Sequence, residues 1–373
     1  MKCAFLLGSR AEWGYIRPVI QELVRSGHEH EIICTNTSIL AEYGDISREI
    51  KQNFNISHRY YNAFSGGDSV SVSKAFGNLI LSLSDFMTDA NFDWIVLAGD
   101  RTEQLAAAIV AAICNKPSAH IQAGEKSGSL DDRSRHAIAR FTNLHFASNM
   151  DAANRLLEAG EEPWRVHTTG APQIDSILDS DFKSTRILDD FGLIQKAYYV
   201  ACLHSATEAD ENTSEISRGM LNYFESSNDD VIWVLPNNDS GSLEIRNILL
   251  QSKNRKIRTV DNLRRDDFLS LLYNSAGLIG NSSSGILEAP TLRVPAVNIG
   301  SRQDKRFRGS NVIDIENANQ LPDALKMISN EKFLHRLQLS ENPYGQGESS
   351  PKIVKILQEN LNRPDLLRKR LTI

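Results

Sequence analysis

Short apolar runs alternate with amphipathic stretches along almost the whole chain. Cys3–Leu7, Glu31–Thr35, Trp94–Ala98, Ala119–Gln122, Leu144–Ala147, Tyr199–Leu203, Val231–Leu235, Gly277–Ile279 and Ala296–Ile299 read as strands. Between them, Val70–Asp89, Glu103–Ile113, Ala152–Ala159, Asp267–Leu272 and Gly285–Thr291 carry apolar residues at helical spacing. Strands separated by helix-length segments form βαβ units and therefore parallel sheets. The first series of strands closes near Gly170-Ala171-Pro172, and a second opens at Tyr198-Tyr199-Val200. Asp179–Gln195 is largely polar and is expected to be the linker. The pattern predicts an α/β protein of two Rossmann-like, doubly wound domains, residues 1–177 and 196–350. Ligands of such sheets lie at the C-terminal ends of the strands, so a cleft between the domains is the expected site. The amphipathic tail Pro351–Leu371 is expected to return to the first domain.

Composition narrows the function. At 373 residues the chain exceeds what one core usually organises. Hydrophobic residues at 41% and charged residues at 24% are those of an ordinary globular protein. A net charge of −6 argues against general binding to nucleic acid or anionic membrane. An anionic ligand must then be held by a few local cations and backbone donors. No apolar stretch approaches the roughly 18 residues of a membrane span, and the apolar part of the N-terminus is too short for a secretion signal. A cytoplasmic protein is expected. Cys3, Cys34, Cys114 and Cys202 are far apart in apolar surroundings and read as four buried, reduced thiols.

Three groups of residues and one further histidine could carry chemistry. Gly8-Ser9-Arg10-Ala11-Glu12-Trp13-Gly14 follows the first strand and opens a helix, whose N–H groups and Arg10 could meet a phosphate. A glycine there can equally serve the turn alone. Gly280-Asn281-Ser282-Ser283-Ser284-Gly285 follows a strand of the second domain and leads into Ile286-Leu287-Glu288-Ala289-Pro290. The hydroxyls of Ser282, Ser283 and Ser284 and the N–H groups near Gly285 suit a diphosphate. Glu288, one turn beyond Ser284, could reach a sugar diol. A serine cap alone would need one hydroxyl, not three. Asp100 and Glu125 end neighbouring strands of the first domain, with Asp131, Asp132 and Arg135-His136 close behind. Clustered carboxylates shift one another's pKa, so that one serves as acid and another as base. His204 ends the first strand of the second domain and could bind phosphate or move a proton. The other histidines are read as structural, and no metal-ligand spacing is present. No cofactor is expected.

Taken together, these motifs resemble the hydrolysing UDP-N-acetylglucosamine 2-epimerases of sialic and legionaminic acid biosynthesis. The resemblance spans nearly the whole chain and is densest from Gly280 to Gly309, including Val297-Asn298-Ile299-Gly300-Ser301-Arg302-Gln303. Gly99-Asp100-Arg101, Gly124-Glu125 and Pro236-Asn237-Asn238-Asp239-Ser240-Gly241 also belong to it. It implies the GT-B architecture and a homo-oligomer, dimer or tetramer. By position, Asp100, Glu125 and Asp131 look like the acid–base carboxylates. Arg10, His204, Ser283, Ser284 and Glu288 look like nucleotide contacts. The implied reaction removes the C2 proton as the C1–O bond to UDP breaks, and then adds water at C1. Two proton carriers are needed because the C2 proton leaves and returns on opposite faces.

Three departures from the family stand out. Ala123 replaces a usual glycine, Ser205 a usual proline, and the Glu125-to-Asp131 loop is shorter than in some sialic-acid members. The last feature resembles the legionaminic-acid branch. The sugar therefore stays open between UDP-GlcNAc and a UDP-linked 2,4-diacetamido sugar, and GDP is open beside UDP. A non-hydrolysing epimerase is the nearest rival, but that family resembles this chain less: it has a proline after the first-motif arginine, where this chain has Ala11. A GT-B glycosyltransferase and an inactive nucleotide-sugar sensor are weaker rivals.

Overall fold

In a computed structural model, residues 1–40, 45–62, 69–126, 131–205, 213–236, 242–261, 263–370 and 372 are described, with backbone alone at 10, 11, 37, 69 and 131. Two compact units are present. One comprises Met1–Lys126, Leu130–Ser176 and Gly347–Ile373, and the other is built on Ile177–Gln346.

The first unit contains β1 (Lys2–Leu7), β2 (Glu29–Thr35), β3 (His58–Tyr60), β4 (Trp94–Ala98), β5 (Ser118–Ile121), β6 (Leu144–Ala147) and β7 (Val166–Thr168). They form one parallel sheet in the order β3-β2-β1-β4-β5-β6-β7. The central strands β1 and β4 are apolar and almost wholly buried, as expected of a sheet covered by helices on both faces. The second unit contains β8 (Tyr198–Cys202), β9 (Asp230–Val234), β10 (Ile257–Val260), β11 (Gly277–Gly280), β12 (Ala296–Ile299) and β13 (Val312–Ile315). Its parallel order is β10-β9-β8-β11-β12-β13. Both orders are doubly wound and reverse direction beside the first strand, between β1 and β4 and between β8 and β11. Such switch points leave a crevice at the carboxyl ends of the strands.

Some expected elements differ in detail. Asp179–Gln195, expected as a linker, holds the helix Arg186–Phe191, whose Ile187 and Leu188 are buried in the second unit. The helix expected over Gly285–Thr291 is a single turn, Ser284–Leu287. Pro290 disfavours helical backbone in the residue before it and so stops the helix early. Cys3, Cys34 and Cys202 are buried free thiols, but Cys114, at the end of the helix Thr102–Ile113, is only partly buried.

The C-terminal helix Ser349–Asn360 packs in the first unit against the helix Arg10–Arg25. Asp175 accepts the N–H groups of Ser349 and Ser350 at 3.1 and 2.6 Å, capping that helix from a distant part of the chain. Trp94 Nε1 donates to the carbonyl of Leu357 at 3.2 Å. No helix among the described residues is long and apolar enough to cross a membrane.

Candidate functional site

In the first unit the switch point is fastened by one buried side chain. Gln104 Nε2 donates to the carbonyl of Leu6 on β1 at 3.1 Å, and Gln104 Oε1 accepts the N–H of Ala98 on β4 at 3.2 Å. The β1 exit carries Gly8 and Ser9. The β4 exit carries Gly99, in the left-handed region with φ +82°, and then Asp100. His120 on β5 braces that turn. Its Nε2 lies 2.6 Å from the carbonyl of Gly99, so Nε2 carries the donating proton. Burial, only partly offset by that hydrogen bond, lowers His120 to a pKa of about 3 and keeps the ring neutral.

Asp100 makes an ion pair with Arg135, which is almost fully buried and also donates to Asp132 at 3.3 Å. The helix Asp131–Phe141 therefore returns a guanidinium to the β4 exit. Glu125 leaves the neighbouring strand β5 and is buried, and Ser148 Oγ donates to its Oε1 at 2.5 Å. The backbone reaches Glu125 through Gln122 and Gly124, both with positive φ, and Arg155 holds the carbonyl of Gly124 at 2.6 Å. A Cβ at Gly124 would meet the Ala152 carbonyl at 2.3 Å. Ala123 has no positive φ, which explains why alanine is tolerated there. Asp100 and Glu125 thus emerge from adjacent strands. Asp131 opens its helix, but its side chain, like that of Arg10, lies outside the described residues.

In the first strand's loop, the two N–H groups that precede the helix Arg10–Arg25 are already occupied. Gly8 N and Ser9 N both donate to Glu12 Oε2, at 2.6 and 3.0 Å. Glu12 is buried, and burial, then the charge of Glu103, raises its pKa to about 8 against the pull of Arg101 and the two N–H groups. Glu103 is buried as well and is hydrogen-bonded by Asn36. Neither carboxylate stood out in the sequence, although Ser9-Arg10-Ala11-Glu12 fits the S-x-x-E pattern in which a glutamate reaches back to a cap N–H. Arg135 was likewise visible only as a motif neighbour.

In the second unit, His204 follows β8 and Asn281 follows β11. Asn281 Oδ1 accepts the N–H of His204 at 2.7 Å, and Asn281 Nδ2 donates to its carbonyl at 2.8 Å. Burial, then the charge of Arg302, lowers His204 to a pKa of about 3, so it is a neutral hydrogen-bonding group and not a cation. Ser282, Ser283 and Ser284 are partly exposed. Ser283 stands at the N-cap position, but with helical backbone (φ −59°, ψ −21°) and no side-chain cap bond. Its hydroxyl is therefore not spent on capping. Gly285 packs its bare Cα face toward Ala296. Glu288 closes the short helix, accepts an ion pair from Arg265 at 2.9 Å, and is nearly buried. Residues 206, 207 and 237–241 of the expected motifs lie outside the described residues. Among the described residues no group of His, Cys, Asp or Glu gathers that could hold a metal ion.

A family model described as UDP-N-acetylglucosamine 2-epimerase matches residues 21–358. Over 376 residues the chain is 31% identical to the GDP/UDP-N,N'-diacetylbacillosamine 2-epimerase (hydrolyzing) of Campylobacter jejuni, covering 99% of this chain and 98% of that one. It is 30% identical over 333 residues to a UDP-N-acetylglucosamine 2-epimerase of Neisseria meningitidis serogroup B, covering 88% of each. Among solved structures, the Methanocaldococcus jannaschii UDP-GlcNAc 2-epimerase in complex with UDP-GlcNAc and UDP superposes with a TM-score of 0.82 at 22% identity, covering 96% of this chain and 100% of that one. That likeness establishes the fold, two doubly wound units of the GT-B class.

Proposed function

This chain belongs to the UDP-N-acetylglucosamine 2-epimerase family, and on that premise we propose that it is a hydrolysing member, converting a UDP-linked 2-acetamido sugar and water into UDP and a free ManNAc-type sugar. The observation that carries the reading is the pair of carboxylates, Asp100 and Glu125, at the exits of adjacent strands, with Arg135 on one and Ser148 on the other. A relative 31% identical over its full length bears the hydrolysing name.

In this reading one carboxylate takes the C2 proton while the electron pair forms the C1–C2 double bond and the C1–O bond breaks. The products are a 2-acetamidoglucal and UDP. Water then adds at C1, and the second carboxylate returns a proton to the opposite face of C2. Asp131 is the third acid–base candidate. The C2 proton is weakly acidic, so stabilising the departing diphosphate supplies much of the rate. We assign that task to His204, to the hydroxyls of Ser282, Ser283 and Ser284, to the N–H groups near Gly285, and to Arg10. Glu288, steadied by Arg265, is suited to accept from a ribose diol. A neutral His204 still has one ring N–H with which to donate to a phosphate oxygen.

The substrate is a nucleotide sugar with an N-acetyl group at C2, either UDP-GlcNAc or its 2,4-diacetamido-6-deoxy relative. The test is UDP release from each in the absence of any sugar acceptor. Asp100→Asn and Glu125→Gln are expected to lose UDP release and C2 proton exchange together, each by at least about 100-fold. Near-normal turnover in either variant would overturn the assignment, and a strict need for an acceptor would favour a glycosyltransferase.

A further inference from the structure

The pairing of β8 with β11 ends at Gly280 opposite Cys202. There the two backbones come unusually close. Gly280 has φ +134°, and a Cβ on it would sit 2.1 Å from the Cys202 carbonyl. The next residue, Asn281, still donates its N–H to that carbonyl at 3.1 Å. Among the described residues no backbone rung follows beyond this point, and the Asn281 side chain takes over. Its amide faces the peptide of His204 with a donor and an acceptor at 2.8 and 2.7 Å, the pairing a further rung would have made. The Asn281 carbonyl in turn accepts from Arg302 Nη1 at 3.1 Å and Gln303 Nε2 at 3.2 Å, both from the segment after β12. One fully buried residue thus ties three strand exits together.

The residue type follows from the geometry. The position needs one donor and one acceptor, side by side and one carbon from the backbone. Aspartate has no donor there, serine has one atom, and glutamine is a carbon too long. A buried amide or peptide group left unpaired pays its desolvation without return, so the arrangement is held strongly.

We infer that Asn281 is a positioning residue that extends the β8–β11 pairing past the sheet and thereby fixes His204 and the guanidinium of Arg302 beside the serine run. The inference rests on the reading of this loop as the nucleotide-binding half of the enzyme. Asn281 itself faces the protein, and it acts through His204 and Arg302. It sets where their donors stand when the diphosphate arrives.

The experiment measures UDP binding by titration calorimetry, and kcat and KM with the active nucleotide sugar, for wild type, Asn281→Ala, Gln303→Met, His204→Gln and the Asn281→Ala/His204→Gln double variant. Asn281→Ala is expected to weaken UDP binding by about 10-fold or more, which is 1.4 kcal/mol. Gln303→Met, which removes only one bond to the Asn281 carbonyl, is expected to raise KM by about 3-fold with an unchanged circular dichroism spectrum. If Asn281 acts through His204, the double variant binds UDP no more weakly than the weaker single variant, within about 2-fold. Thermal midpoints that fall while UDP affinity and KM stay within about 2-fold of wild type would overturn the inference and leave a purely structural residue. Full additivity in the double variant would overturn it also. Should Asn281→Ala fail to fold, Gln303→Met decides, and an unchanged KM and UDP affinity sink the proposal. A wild-type protein that binds UDP but turns over no nucleotide sugar would refute the catalytic reading while leaving the binding comparison intact.

Discussion

Arg135 shows how a single residue ties the fold to the chemistry. It is almost fully buried, yet its guanidinium meets two carboxylates, Asp100 and Asp132. Arg135→Met keeps the bulk and removes the charge, leaving Asp100 without its ion pair. Because Asp100 is about a quarter exposed (23%), the stability cost is expected at the lower end for a broken pair, on the order of 1–3 kcal/mol, read as a lower urea midpoint. The same variant is expected to lower kcat by more than about 10-fold with a smaller change in KM, since in the proposed mechanism the lost contact orients an acid–base group. An unchanged kcat would remove Asp100 from that role. At this scale the sequence was legible for the placement of the candidate residues: Asp100, Glu125, His204 and the serine run all lie at strand ends, where apolar runs stop. It was silent on Glu12, Glu103 and Asn281. Charged and amide side chains near helix starts usually face water, and nothing in their spacing announces burial.

At the scale of the element, the four strands not anticipated from the sequence are β3, β7, β10 and β13. They are the four edges of the two sheets. Edge strands are short and face solvent on one side, so His58-Arg59-Tyr60 and Val166-His167-Thr168 carry no continuous apolar run. The central strands are buried on both faces and read plainly as apolar blocks. The turns at the strand exits are legible only in part. Gly124 and Ala123 are neighbours, yet just one of them needs to be glycine. Gly124→Ala, which would set a methyl group against the Ala152 carbonyl, is expected to destabilise the protein by about 2 kcal/mol or more, whereas Ala123→Gly should cost no more than about 1 kcal/mol. Denaturant midpoints of the two variants measure the difference, and equal effects would contradict this account of the β5 exit.

Across the whole molecule, buried titratable groups set how stability depends on pH. Burial holds His120, His204 and His145 at about 3, 3 and 4, well below the ordinary histidine value of 6.5. Below pH 6.5 the unfolded chain binds protons that these folded histidines refuse, so stability falls as pH drops. Glu12 works in the opposite sense. Raised from 4.5 to about 8, it holds a proton in the folded state that the unfolded chain has lost, and stability falls as pH rises between those values. Below 6.5 three histidines outweigh one glutamate, above 6.5 Glu12 prevails, and as pH nears 8 buried Lys369, lowered by burial to about 8, begins to offset it. Maximum stability is therefore expected near pH 6.5, with Glu12→Gln flattening the decline between pH 6.5 and 8. Thermal midpoints over pH 5–8 check this, and a midpoint that rises steadily to pH 8 would contradict it.

The C-terminal tail is part of the first unit in the same energetic sense. Lys369 reaches buried Glu161 at 2.7 Å, and the carbonyls of Asp365, Leu366 and Arg368 accept from buried Arg165. Cutting the chain after Leu361 would remove these partners and leave Glu161 to Arg140 and His145, and Arg165 to Glu162 and the Asn143 carbonyl, so a loss on the order of 1–3 kcal/mol in unfolding free energy is expected.

The claim at the centre is hydrolysis with inversion at C2. The most direct test incubates the protein with UDP-GlcNAc, and separately with its 2,4-diacetamido-6-deoxy relative, in deuterated water, following C1 and C2 of the sugar by NMR. A free ManNAc-type sugar carrying deuterium at C2, with one UDP released for each sugar, is the predicted result. Accumulation of a UDP-linked, C2-inverted sugar, or release of a sugar that keeps its original C2 hydrogen, would contradict it.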